Sequence, residues 1–544
     1  MSLGQSTTVQ HESEGVRVAP HSLRPPMFLL LLAAVVVVGM LLPIAYLLLR
    51  AVAADAGIVQ QVLRPRTLIV LGSTAGLALS VTTTCVLLGV PLAWITIASD
   101  MPGRRVFRVL TALPLVIPTY IGGYAIVSAF GPRGALQVVL GRLFGIEHLP
   151  ELYGFWGAWL ALTLFSYPYV LLSVQTGLRG LDPALEEAAR SLGFGPWRTF
   201  WRVTLPQLRP SIAAGGLLVA LYTLSDFGAV SLLQFNSFSR AIYIQYRGAF
   251  DRDYAAALAL VLVFLTGLVL GAEIWSRGRA RYHRSTVGVV KPRRRASLGF
   301  WRWPAVVLCS SVVLIALVMP VGVVSFWLAR ELQAGEPQRL VWSAAWNSMY
   351  SSAIAAGLAV AAALPVAILG VRFRSRWTAM FEGLAYAGYA LPGIVIALAL
   401  VRFASHYVPW LYQTLGLMVF AYVVRFMPQA LGTVRSALLS VSPNVEEAAR
   451  SLGHSPLHVT LRVTLPLIRS GLLSGAALVF LTAMKELPTT LLLGPIGFRT
   501  LATTTWTATA EGFFARAAGP ALLIIIVSAF SMVFVLRDAW SDSR

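Results

Sequence analysis

The stretch Glu186-Glu187-Ala188-Ala189-Arg190-Ser191-Leu192-Gly193 returns unchanged at Glu446–Gly453, 260 residues later. Each copy continues to Arg-Val-Thr-Leu-Pro, at Arg202–Pro206 and Arg462–Pro466, and over Glu186–Pro206 14 of 21 positions match. An internal repeat constrains architecture before any local reading does. Here it is a polar, charged segment inside an apolar chain, so it reads as one docking surface built twice. In a membrane chain, such a two-fold repeat points to a transporter with two related halves.

The membrane assignment rests on composition. Of 544 residues, 57% are hydrophobic and 12% charged, against about 25% charged in ordinary soluble domains. A bilayer crossing needs roughly 20 apolar residues. About twelve such runs occur, near 28–50, 68–96, 106–130, 153–175, 212–233, 255–275, 304–328, 343–370, 379–402, 409–431, 471–493 and 517–537. The first continues through Leu41-Leu42-Pro43-Ile44 without a small-residue cleavage site, so it reads as a retained helix. The chain therefore divides into a tail at 1–27, a first repeat at 28–275, a basic linker at 276–303 and a second repeat at 304–544. Six spans per half return the chain to its starting side, so the repeats are parallel and the pseudo-two-fold axis lies along the membrane normal. The expected fold is all-α, with two six-helix repeats sharing a pathway at their interface.

The formal net charge is +21, and its location argues against nucleic acid. The basic residues cluster in short loops: Arg104, Arg105 and Arg108; Arg190, Arg198, Arg202 and Arg209; and a run from Arg277 to Arg295. Short loops rich in Lys and Arg stay cytoplasmic. This places the N-terminus and both repeated segments inside, although Arg64 and Arg66 fall on the other side. Cys85 and Cys309 each lie in an apolar run, with no disulfide or metal-ligand spacing. The sequence contains no Walker-type loop, no His-Glu-x-x-His and no nucleophile elbow. The chain reads as a transport subunit, not an enzyme.

Each repeated segment reads as a short capped helix. Asp182-Pro183 and Ser442-Pro443 pair a capping residue with proline at the first helical position. Glu186 and Glu187, or Glu446 and Glu447, occupy the first turn, where the helix dipole favours carboxylates. Gly193 and Gly453 end the helix as left-handed caps. An ordinary interfacial helix would explain one copy, but not the recurrence.

At these residues the chain resembles the permease subunits of ATP-binding-cassette importers. Their signature, Glu-Ala-Ala-x3-Gly-x9-hydrophobe-x-Leu-Pro, appears as Glu187-Ala188-Ala189, Gly193, Val203 and Leu205-Pro206. It appears again as Glu447-Ala448-Ala449, Gly453, Val463 and Leu465-Pro466. The resemblance implies a type I importer permease fold in an inner membrane. It implies a coupling helix in each half, carried by Glu186, Glu187, Ala188 and Gly193 and by Glu446, Glu447, Ala448 and Gly453. Those helices would sit on a separate ATPase homodimer that holds the ATP, with no cofactor on this chain. An extracytoplasmic solute-binding protein would deliver the solute.

For the solute, single-chain two-half permeases resemble ferric-iron importers, with thiamine importers nearby. The stretches carrying this are Leu224–Val230 with Asp251-x-Asp253-Tyr254, and Lys485–Leu492 with Gly497-Phe498. Asp226 and Glu486 are themselves 260 apart, about 14–15 residues into the fifth span of each half, or roughly 21 Å at 1.5 Å per residue. A carboxylate at such depth costs about 2.5–3.5 kcal/mol and normally faces a bundle interior or a wet cavity. Two symmetry-related carboxylates would suit a hard cation that prefers oxygen ligands. The alternative is that Asp226 caps the helix end near Gly228 and Glu486 neutralises Lys485. Arg425 reads as structural, and Tyr120, Tyr124, Tyr386 and Tyr389 as packing residues. A thiamine or other small-solute permease, an ion-gradient-driven transporter and a membrane enzyme or scaffold are the competing readings. The gradient-driven reading gives no reason for the paired loops, and the lack of catalytic constellations disfavours the enzyme or scaffold.

Overall fold

The computed structural model describes residues 25–52, 60, 62–131, 134–145, 152–248, 252–277, 296–335, 339–373 and 375–541. These residues are almost entirely helical, and the one isolated bridge among them joins Ser99 to Ala296. The basic run from Arg279 to Arg295, Asp251 of the first iron-type stretch and the side chains of Asp253 and Tyr389 lie outside the description.

In the first half the helices include α1 (Met27–Val52), α2 (Pro65–Ala98), α3 (Thr119–Phe130), α4 (Gly154–Gly180), α5 (Pro183–Ser191), α6 (Leu205–Ser225), α7 (Gly228–Leu232), α8 (Phe238–Arg247) and α9 (Arg252–Arg277). The second half contains α10 (Met319–Gln333), α11 (Arg339–Arg372), α12 (Gly393–Tyr407), α13 (Leu415–Ser440), α14 (Pro443–Ser451), α15 (Arg469–Met484), α16 (Pro488–Leu493) and α17 (Phe514–Ser541). Eight described helices are long and apolar enough to cross a membrane, and ten if each of two bent pairs is one span. Two shorter apolar helices, Gly393–Tyr407 and Phe514–Phe530, stand where the other two expected spans lie.

The third span of each half is broken, and sequence explains the break. Ile117 and Leu391 precede prolines and are held extended, with ψ of 114° and 130°. The ring of a following proline disfavours the helical region for the residue before it. The run expected at 379–402 is therefore a helix at Arg376–Tyr386, a 3-10 turn at Ala387–Ala390, and then α12. The first half breaks the same way before α3, so Thr119 and Gly393 start helices at equivalent depth.

Each half is built on a three-helix core: α2, α4 and α6 in one, α11, α13 and α15 in the other. Small residues let the backbones approach, as lipid-embedded packing requires. A Cβ on Gly215 would lie 2.8 Å from the Val170 backbone, and one on Gly475, 260 residues on, 3.4 Å from that of Ala430. At the next crossing Gly177 faces Ser211, whereas Ala437 faces Gly471. The small residue has changed helix while the gap is kept.

The first helix of each half reaches across to the other. α1 packs on α11, Arg376–Tyr386 and α12, and α10 packs on α3 as well as on α17. The Tyr124 hydroxyl donates to the Phe514 carbonyl at 2.8 Å, and the Trp327 indole donates to the Ser128 carbonyl at 3.4 Å. Near the loops that hold α5 and α14, the chain entering the second half is pinned to the end of α2. Ala296 and Ala98 share a hydrogen bond of 2.8 Å, Leu298 N–H donates to Asp100 at 2.9 Å, and Arg302 pairs with the same carboxylate.

Candidate functional site

Two regions carry the expected site residues: the face holding α5 and α14, and a buried layer where α6 and α15 end.

On the loop face both copies of the repeat keep the same helix cap and the same glycine closure. Asp182 accepts from Ala184 N–H at 3.0 Å, and Ser442 from Asn444 N–H at 3.4 Å, so each side chain caps its helix. Gly193 and Gly453 adopt φ of +83° and +88°. Their amides bond to Arg190 and Arg450, while the next residues, Phe194 and His454, reach back to Ala189 and Ala449. This is a Schellman closure in both loops, and it needs a residue tolerant of the left-handed region. Each loop then passes through one π-turn, Phe200–Thr204 or Thr460–Thr464, before the next span.

Not every acidic residue of the repeat faces solvent. Glu187, Ala188, Glu447 and Ala448 are exposed. Glu186 and Glu446 are each 6% exposed and turn inward. Thr204 donates to Glu186 at 2.6 Å, and Thr464 donates to Glu446 at 3.0 Å. These bonds tie each short helix to the π-turn that leads into the next span. In the second half Arg372, the last residue of α11, also donates to Glu446 at 2.9 and 3.1 Å and to the Val441 carbonyl at 3.2 Å. Sequence reading missed Arg372, because its contact spans 74 residues. The threonine was legible, since it lies in the repeated Arg-Val-Thr-Leu-Pro.

A patch of apolar side chains surrounds these helices. Leu185 and Val445, Leu192 and Leu452, Trp197 and Leu457, and Trp201 and Leu461 are all exposed, and each pair is 260 apart. Leu192 and Leu452 are 78% and 79% exposed. The same four positions are exposed and apolar in both halves.

In the buried layer, Asp226 ends α6. One oxygen accepts the amides of Ala229 and Val230, at 3.1 and 3.2 Å, and the other accepts the Thr119 hydroxyl. Asp226 thus caps α7. Glu486 accepts Thr489 N–H at 3.2 Å and its hydroxyl at 2.5 Å, and pairs with Arg425 Nε at 3.4 Å. Arg425, not Lys485, is the partner of Glu486. The guanidinium fits because Gly393 has no side chain: a Cβ there would stand 1.5 Å from Arg425 Nη1. The two carboxylate loops meet between the halves, where a Cβ on Gly228 would lie 2.9 Å from Leu487 and 2.5 Å from Tyr120. Tyr120 and Tyr124 are buried packing residues.

The layer separates two cavities. One, of about 670 Å³, opens on the loop face between α13 and α15 and includes Tyr386, Gln429 and Ser474. The other, of about 1040 Å³, opens on the far face and includes Arg247, Glu331, Thr490 and Arg499. Gln429 lies one turn from Arg425 and accepts a bond from Thr482 at 2.8 Å, and the Thr490 hydroxyl donates to the Glu486 carbonyl at 2.7 Å. The Arg425–Glu486 pair therefore stands between the cavities.

Comparison with known proteins agrees with this geometry. The family described as the inner membrane component of binding-protein-dependent transport systems matches twice, at residues 85–273 and 359–543. An Fe(3+)-transport system permease protein of Haemophilus influenzae is 35% identical over 94% of this chain and 98% of its own. A putative ferric transport system permease of the same organism is 25% identical over 69% of this chain and 62% of its own. A probable sulfate transport system permease of Marchantia polymorpha is 31% identical over 36% of this chain and 67% of its own. Two family matches, each enclosing one copy of the repeated loop, together with near full-length similarity, place this chain in the family of binding-protein-dependent transport system inner membrane components.

Proposed function

We propose that this chain is the fused two-half permease of an ATP-driven importer for ferric iron. The observation that carries the transport role is the doubled loop: two Schellman-closed helices in segments that expose apolar side chains at the same four positions. A homodimeric ATPase with one cleft per subunit would receive both. In that arrangement the loop face is cytoplasmic, Glu187, Ala188, Glu447 and Ala448 lie at the contact, and Glu186 and Glu446 transmit motion to α6 and α15. Closure of the ATPase dimer would move both short helices together and rock the three-helix cores about the layer between the cavities. The far cavity would receive solute from an extracytoplasmic binding protein. Near full-length similarity to an Fe(3+) permease supports iron as the cargo.

Single cysteines at Ala188 and Ala448 test the docking. Each should cross-link to the ATPase subunit when the complex is purified from membranes, and a site that never cross-links removes the two-cleft arrangement. Uptake of radioactive iron by vesicles holding the permease, ATPase and iron-loaded binding protein tests the cargo. ATP-dependent accumulation of thiamine in place of iron would reassign it.

A further inference from the structure

The third span of each half starts beside the ends of two other spans, and the halves fill that corner with different charges. Arg108 stands ten residues before Pro118, and Glu382 ten before Pro392. Gln175 and Arg435 are 260 apart, while Thr96 and Gly370 each follow the proline inside span two, Pro91 or Pro365, by five residues. In the second half the corner is closed by an ion pair. Glu382 meets Arg435 Nε at 2.8 Å, and the carboxylate fits because Gly370 has no side chain: a Cβ there would stand 2.7 Å from Glu382 Oε2. The pair ties the helix Arg376–Tyr386 to α13.

The first half has no acid at these positions. Arg108, on the helix Arg104–Leu110, reaches the Thr96 carbonyl at 3.5 Å, and its Nε is buried without a hydrogen-bond partner. The Gln175 amide donates to the Thr96 hydroxyl at 3.1 Å. The charges that act on Arg108 are those of Arg179, Arg104 and Arg105, all of its own sign. Arg105 and Arg179 are exposed, and neither forms an ion pair among the described residues. The positions equivalent to Arg104, Arg105 and Arg179 hold Thr378, Ala379 and Leu439.

Like charges gathered at one point repel, and a buried donor left without an acceptor costs stability. An anion entering the corner would remove both penalties. The position of the corner says which anion. It lies where α2 and α4 end and the third apolar run begins, so it stands at the boundary of three spans. Val106, beside Arg105, is 60% exposed and gives the rim an apolar side. Lipid phosphates already occupy that depth, and arginines next to a span attract anionic headgroups. The planar guanidinium fork matches phosphate oxygens.

We propose that an anionic phospholipid occupies this corner of the first half, its phosphate held by Arg105, Arg108 and Arg179 where the second half places Glu382. The lipid ties the helix Arg104–Leu110 to α4, as the ion pair ties Arg376–Tyr386 to α13. This holds whichever solute the permease carries.

The test counts lipid. The full-length chain, stripped of co-purified lipid in detergent, is offered dioleoyl phosphatidylglycerol or dioleoyl phosphatidylcholine, and bound molecules are counted by native mass spectrometry. The anionic lipid should be retained about tenfold better, and Arg105→Gln/Arg179→Gln, which changes exposed side chains only, should erase the preference. Equal retention of both lipids by the wild type, or a preference that survives in the double variant, would overturn the proposal. Thr96→Gly/Arg108→Glu/Gln175→Arg writes the second half's ion pair into the first. Its thermal midpoint in phosphatidylcholine should match that of the wild type in phosphatidylglycerol, and should not rise further with the anionic lipid. A midpoint that still rises would count against the site, and if this variant does not fold, the lipid count in the exposed double variant decides. Two further arms separate the sources of the anion. Inorganic phosphate that stabilises the wild type as well as phosphatidylglycerol does would assign the corner to a free anion. Displacement of the counted lipid by the ATPase subunit would assign it to an acidic protein surface. Either result would overturn the lipid assignment.

Discussion

The loop face and the buried layer are built from the same repeat, yet they have diverged unequally. Around α5 and α14 the caps, the glycine closures, the π-turns and four exposed apolar positions all recur. In the layer, equivalent positions hold different chemistry: Thr119 against Gly393, Phe165 against Arg425, Tyr222 against Thr482, Asp226 against Glu486. A surface that meets two copies of one partner is held to two-fold symmetry. A passage for a small object without that symmetry is not. In the proposed importer, docking keeps the loops alike and the cargo lets the layer differ.

The largest expected effect breaks the likeness of the loops. Arg372→Ala removes the guanidinium that pairs with buried Glu446. Breaking a buried pair from one side costs about 3 kcal/mol. Thermal unfolding of the purified protein should fall accordingly, and cross-linking from a cysteine at Ala448 should weaken more than from one at Ala188. Equal losses at both sites would mean that the clamp does not belong to one loop.

Gly193→Val and Gly453→Val test the likeness directly. Left-handed backbone costs a β-branched residue about 1–2 kcal/mol, at φ of +83° and +88° respectively. Space is not the constraint, because nothing lies within 4 Å of either Cβ position. Each variant should remain in the membrane, while the ATPase stimulation caused by loaded binding protein falls about tenfold. Loss in one variant alone would show that a single loop couples.

The divergence of the layer has its own test. Gly393→Ala should displace Arg425 from Glu486 and destabilise the protein by about 1–3 kcal/mol, the cost of leaving a buried polar group without its partner. In an Arg425→Gln/Glu486→Gln background the same change should cost well under half as much, read as thermal midpoints. Additive costs would separate Gly393 from the ion pair. Asp226→Asn should have a smaller effect, about 1 kcal/mol, because the amide still accepts from Ala229 and Val230 but loses the charge-assisted part of those bonds. Co-purification with the ATPase should be unchanged.

The smallest effect concerns the staple between halves. Asp100 is held below its ordinary carboxylate value, first by the Leu298 amide and then by Arg302. A depressed carboxylate contributes stability that is present at neutral pH and lost as pH falls through its folded pKa. Asp100→Asn should therefore leave a weaker acid response below pH 3.8, the ordinary value, read as the difference in unfolding midpoint between neutral and acidic buffer.

Much of this was legible because it is local. Caps, glycine closures and proline breaks depend on neighbours within five residues, and the chain repeats them. The twelve apolar runs gave the spans, though the sequence showed the one at 379–402 as continuous where Leu391-Pro392 breaks it. Asp226 was correctly placed beside Gly228 as a possible cap. The partner of Glu486 was not legible, since Lys485 is adjacent in sequence while Arg425 is 61 residues away and reaches Glu486 through the space left at Gly393.

By itself, then, the sequence determined that the chain is a doubled membrane bundle with two matched loops, because hydropathy, repeats and caps are read along one dimension. Tertiary structure alone decided that Glu186 and Glu446 turn inward and that Arg372 clamps one loop. It also decided that the two deep carboxylates meet between the halves already occupied by donors. Those outcomes depend on which side chains converge from helices distant in sequence, and on the volume that a missing Cβ leaves for a guanidinium.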